Sequence, residues 1–243
     1  MNVTNLTDFL SNPAKSRSRE YILTTRLIHD LTVAAAARGY DLRVYLPTID
    51  ADGFDIILDD GDRLLAIQLK AVTQQGRASN WSIHRALIRP KAEDAGLYGF
   101  QSSQCGVGRG GGVILTKVAA SGELAVDATY AYTDIDVLSA IWLDLVPLPA
   151  PQRDCVKRLR SQLESEIGGK LKLPRSSFLR ASTPEHLLAL CGLHSRIEKP
   201  WRLQLRKLLA LRHLGAQSTR PEETLRINIK KYLRELSERA PEL

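Results

Sequence analysis

Two Asp-Gly pairs, at 52–53 and 60–61, cut residues 43–72 into three short runs of strand-forming residues, and this punctuation constrains the chain more than any other feature. The runs are 43–48, 54–58 and 64–72. The second Asp-Gly suits a tight hairpin, because both residues tolerate the positive φ such turns demand. Consecutive strands joined in this way build an antiparallel meander. Upstream, residues 16–38 read as a helix stopped by Gly39, with Leu23, Leu27, Leu31 and Ala34 on one apolar stripe. Downstream, 81–89 reads as a strand or extended arm, 110–117 as a buried strand, and 130–145 as a strand followed by a helix. That order is expected of a mixed α/β fold around a central sheet.

The remainder is organised differently. Three prolines in VPLPAPQ, residues 146–152, read as a linker or rigid turn. Beyond it, residues 153–167 form an amphipathic helix, and Thr183-Pro184-Glu185 is an N-cap followed by Pro at the first helical position. Residues 201–214 and 221–238 give two more helices. The expected division is therefore an α/β domain over 1–147 and a smaller all-α module over 148–243.

Charge follows the same boundary. Residues 1–150 hold 14 Lys and Arg against 17 Asp and Glu, or −3, whereas 151–243 hold 20 against 10, or +10. Concentrated positive charge is the footprint of a polyanion binder, since cations that neutralise phosphates release condensed counterions. Solvated helix faces are the alternative. Arg226, Lys230 and Arg234 lie four apart on one helix face, and Lys199, Arg202, Arg206 and His213 share a face of the helix before it. Either stripe is a candidate phosphate contact, as are Arg85, Arg89 and Arg109. An acidic partner protein or a second copy of the chain could use the same helices.

Other classes of chemistry find little support. Three cysteines, at 105, 155 and 191, form no CxxC pair and supply neither a disulfide framework nor the usual zinc spacings. No apolar run approaches bilayer length and no signal peptide opens the chain, so a cytoplasmic protein with no membrane partner is expected. The string GVGRGGG at 106–112 precedes a strand and does not lead from strand to helix, so dinucleotide-binding and P-loop readings fail. A flexible loop is expected there. The five His are scattered, and only His84 neighbours the expected sheet core.

Polar residues sit where apolar ones are expected. Glu20 falls on the stripe of Leu23 and Leu27, so it should meet a cation, a metal, a hydrogen-bond donor or the edge of a cleft, unless it stays solvated in the first helical turn. Asp55 opens the second strand, and Gln68 and Lys70 alternate with apolar residues along the third. Asp50 and Asp52 are nearby carboxylates with a turn role.

Glu20 on the first helix, Asp55 on the second strand and Gln68-Leu69-Lys70 on the third resemble the PD-(D/E)xK nuclease superfamily, with its restriction-endonuclease-like fold, in a D…QxK variant. The chain departs from the pattern in having Phe54 before Asp55 and Gln68 at the second acidic position. The resemblance implies a central mixed sheet flanked by helices and a Mg²⁺- or Mn²⁺-dependent endodeoxyribonuclease acting in restriction, repair or defence. It implies Glu20, Asp55, Gln68 and Lys70 as catalytic residues. The metal would be held by Glu20, Asp55, the Gln68 amide oxygen and the Leu69 carbonyl, and Lys70 would orient water or neutralise the transition state. A catalytically inactive member that binds nucleic acid or scaffolds a complex is the alternative, favoured by a neutral Gln68.

Overall fold

A computed structural model describes residues 5–47, 53–73, 76, 78–101, 108–121, 125–165, 169–193, 201–213 and 220–238. Asp50, Asp52, Lys199, Cys105, Gly106 and His194 lie outside the described residues.

The chain begins with a short helix α1 (Asn5–Ser11) and continues into α2 (Ser16–Ala37). Leu23, Leu27, Leu31 and Ala35 form its buried stripe, with Ala34 half-buried beside them. The helix ends where Gly39 adopts φ +81° and its amide caps the Ala36 carbonyl. The expected meander follows: β1 (Arg43–Tyr45), β2 (Ile56–Asp59) and β3 (Leu64–Thr73), paired antiparallel in sequence. Next come β4 (Asn80–His84), a single turn of helix α3 (Arg85–Ile88), β5 (Gly112–Ala120) and β6 (Val126–Asp134).

β5 lies parallel to β3, and every other pairing in the main sheet is antiparallel. A parallel neighbour requires a crossover, and residues 74–111 supply it, carrying β4 and α3 onto one face. Asp134 closes β6 and N-caps α4 (Ile135–Trp142), accepting the Val137 amide at 2.9 Å.

The all-helical module expected after residue 147 is not what forms: three short strands lie among its helices. The proline segment runs directly into α5 (Ala150–Ser165), with Pro151 in the first turn, where its missing amide costs nothing. β7 (Lys170–Pro174) then pairs antiparallel with β4. β8 (Leu179–Ala181) adds to β6, and β9 (Ser237–Glu238) adds to β8. Between them lie α6 (Pro184–Cys191), capped by the Thr183 hydroxyl as expected, α7 (Trp201–His213) and α8 (Arg220–Leu236). The main sheet thus has seven strands in the order β1-β2-β3-β5-β6-β8-β9. Its hydrophobic core is continuous across residue 147, joining Leu27, Ile67 and Ile114 with Val156, Leu187, Trp201 and Ile229. The fold is α/β: a mixed sheet flanked by helices, with helices predominating toward the C-terminus. Among the described residues no helix is long and apolar enough to cross a membrane.

Sheet register fixes which face each residue occupies. Ile56, Leu58, Leu65, Ile67, Leu69, Ile114 and Tyr130 share the face toward α2, where the Tyr130 hydroxyl donates to Asp30 at 2.7 Å. Gln68, Lys70, Leu115 and Lys117 occupy the other face.

Candidate functional site

β2 stops pairing with β3 at Ile56–Ile67, so among the described residues the edge of β3 from 68 onward lacks a β2 partner. Asp55 stands at this fork. Its own amide donates to the Ile67 carbonyl at 2.8 Å, and its carboxylate oxygen Oδ2 accepts the Leu69 amide at 2.5 Å. The side chain thereby takes over an edge amide that the departing strand no longer serves, lying near the plane of the sheet and against the Gln68-Leu69-Lys70 segment.

A cavity of about 30 Å³ opens beside the same segment. Glu20, Leu23, Thr24 and Leu27 of α2 line it from one side, and Leu69, Lys70, Ala71 and Thr116 from the sheet. That volume admits an ion or roughly one or two waters. Glu20 is exposed at the mouth and makes no hydrogen bond or ion pair among the described residues. Strand alternation turns Leu69 and Ala71 toward α2 and Lys70 toward the opposite face. Lys70 nonetheless borders the cavity where β3 lines it.

Gln68 lies differently from the expectation. It is buried, 8% exposed, and its Oε1 accepts the His84 amide at 3.2 Å, tying β3 to the crossover. Its oxygen therefore has a structural partner already. Among the described residues no three His, Cys, Asp or Glu gather to hold a metal. The expected set contains only two carboxylates, and this is enough for Mg²⁺, which keeps several waters and uses one or two protein carboxylates. Glu20 lines the cavity, Asp55 is held on the Leu69 amide outside the cavity's lining, and Gln68 is committed to the His84 amide.

The glycine segment is no flexible loop where it is described. The amides of Arg109, Gly110 and Gly111 donate to Ala86, Arg89 and Leu87 carbonyls. A Cβ at 108 would strike the Arg89-Pro90 backbone, and one at 111 the Ala66 carbonyl. Glycine is required here for close packing. The clamp sets Arg109, which is exposed, with its guanidinium 5.7 Å from the Phe54 ring, one residue from Asp55.

Several expected phosphate contacts face inward. Arg89 is fully buried and donates Nε to the Leu163 carbonyl at 2.8 Å, while Arg85 is buried and reaches the Lys170 carbonyl. Both fasten the crossover to the C-terminal region and cannot reach a polyanion. Arg202 pairs with Asp134 at 2.7 Å and Asp136 at 2.5 Å, and also donates to the Leu190 carbonyl. Tyr132 and Tyr98 hydroxyls complete this network on Asp134 and Asp136. Arg206 approaches Asp94 at 3.4 Å and His213 contacts the Leu97 carbonyl. Of this stripe, Arg202 is turned into the fold, whereas Arg206 and His213 stay exposed while touching Asp94 and the Leu97 carbonyl. Arg226 donates to the Leu143 carbonyl, leaving Lys230 and Arg234 as the exposed cations of the α8 stripe.

No family model, no curated protein and no solved structure matches this chain.

Proposed function

We propose that the chain is a metal-dependent phosphodiester hydrolase of the PD-(D/E)xK type acting on DNA. The observation that carries this reading is the fork at β3. Asp55 engages the Leu69 amide there, and Leu69 together with Lys70 and Glu20 borders one open cavity. A carboxylate at the fork, a second carboxylate lining the neighbouring cavity from a helix and a lysine on β3 are the groups that phosphodiester hydrolysis needs. Asp55 and Glu20 would hold a divalent cation, which when bound lowers the pKa of its water and stabilises charge on the phosphoryl oxygens. Lys70 supplies positive charge where negative charge grows in the transition state. Arg109 sits close enough to Asp55, through Phe54, to meet the phosphate on its way in.

A second reading has its own support. Gln68 replaces a carboxylate and has its oxygen on the His84 amide, which favours a nucleic-acid-binding protein of the same architecture without hydrolysis. Supercoiled, linear and single-stranded DNA incubated with Mg²⁺ or Mn²⁺ separates the two, with Lys70→Ala as the control. Cutting abolished by Lys70→Ala supports hydrolysis at this site. DNA binding with no cutting in either metal supports the second reading.

A further inference from the structure

The face of the sheet away from α2 carries Lys70, Lys117 and Arg180, and the charge of Arg175 reaches Lys117. Lys117 on β5 is the register partner of both Val72 on β3 and Thr129 on β6, so it projects from the same face as Lys70. Arg180 on β8 is the register partner of Ala131, two residues along β6 from Thr129, and shares that face as well. Arg175 belongs to the 3₁₀ turn Arg175–Ser177 between β7 and β8.

These groups sense one another. Burial, and then the charges of Arg175 and Arg180, hold the Lys117 ammonium below its usual range. Neither Lys117 nor Arg175 makes an ion pair among the described residues. Asp127 is two residues from Thr129 on β6 and shares that face. The centre of the patch is therefore Lys117 with Arg175.

This stretch of the face is also open. Lys70, Val72, Lys117, Thr129, Ala131 and Arg180 are all half-exposed, whereas Gln68 and Leu115, further back on the same face, are buried. Like charges gathered on an uncovered sheet face repel in the free protein, and a bound polyanion removes that repulsion.

Building on the hydrolase reading, we infer that the Lys117–Arg175 patch is a track for the sugar-phosphate backbone of nucleic acid, leading across the sheet to Lys70 on β3. Four neighbouring strands at about 4.8 Å spacing make the track about 14 Å long. The contacts are to backbone phosphate and carry no base information.

The test measures binding of a fluorescein-labelled DNA duplex and the matching single strand to the full chain, in EDTA so that nothing is cut, over a range of salt concentrations. Lys117→Gln/Arg175→Gln is compared with wild type and with Lys230→Gln/Arg234→Gln on α8. The track predicts weaker binding to every sequence and a log–log salt slope shallower by about 0.7–0.9 per lost contact for the first pair. Its melting temperature should equal or exceed that of wild type, because repulsion has been relieved. An unchanged slope in a folded Lys117→Gln/Arg175→Gln variant overturns the track. Parallel cleavage in Mg²⁺ separates the two claims. Wild type that cuts but binds independently of Lys117 and Arg175 retains the hydrolase and loses the track. Wild type that binds through them but never cuts retains the track and loses the hydrolase.

Discussion

The Asp55 carboxylate accepts the Leu69 amide at 2.5 Å, at the point where one strand parts from the next. That single contact gives Asp55 two separable features: it finishes a backbone ladder, and it holds a negative charge beside the Gln68-Leu69-Lys70 segment.

The two features predict a split between variants. Asp55→Asn keeps an acceptor for the Leu69 amide and loses the charge, so its stability should stay close to wild type. Asp55→Ala leaves the amide without its acceptor and should cost about 1–3 kcal/mol. Urea denaturation of both proteins measures the difference, and equal stabilities would show that the contact contributes nothing.

Arg202 should matter to folding and not to ligand. It bridges Asp134 and Asp136, both buried, at the junction of β6, α4 and α7. Arg202→Met strands two carboxylates and is expected to cost about 3–5 kcal/mol. The salt slope of DNA binding, measured below the melting temperature, should not move. A stable Arg202→Met protein with a shallower slope would return the α7 stripe to the surface role its spacing suggested.

Acid stability should depend on Asp30. Burial pushes its carboxyl up, but hydrogen bonds from the Tyr130 hydroxyl, Arg26 and His29 outweigh this and hold it below the ordinary value of 3.8. A group with a lowered folded pKa stabilises the fold above its unfolded pKa, and that contribution disappears as pH falls through the folded value. Stability should therefore decline below about pH 4. Asp30→Asn should flatten this decline while lowering stability at neutral pH. Parallel pH profiles for the two proteins would remove Asp30 from the account.

Thiol chemistry should discriminate between the two described cysteines. Cys191 is fully buried on α6, and burial pushes its thiol well up, whereas Cys155 on α5 is half-buried. Iodoacetamide on the native protein, followed by peptide mapping, should label Cys155 and spare Cys191 until denaturant is added. Comparable labelling rates at both positions would contradict the packing of α6.

The meander, α2 and the helix after β6 were legible in sequence because local signals agreed: Gly39 as a stop, Asp-Gly at the hairpin, and apolar residues at helical or alternating spacing. β7 carried a signal too, since Lys170 and Lys172 alternate with Leu171 and Leu173, but five residues are few against a helical background. β8 and β9, with three and two residues, exist only through their pairing with a neighbouring strand and leave no local trace. Glu20, Asp55 and Lys70 stood out as candidates because each breaks an apolar pattern. The direction of Gln68 could not be read, because its partner is a backbone amide sixteen residues away. Arg202 escaped for a related reason: spacing shows that Arg202, Arg206 and His213 share a face, but only the acids opposite show that Arg202 turns inward while the other two stay exposed.

The central claim rests on charge at the fork, and Asp55→Asn is its most direct test. Plasmid DNA is incubated with Mg²⁺ and either wild-type protein or Asp55→Asn, after matched melting curves establish that both are folded. The account predicts nicked or linear product from wild type and none from the variant. Cutting by folded Asp55→Asn at the wild-type rate would contradict it.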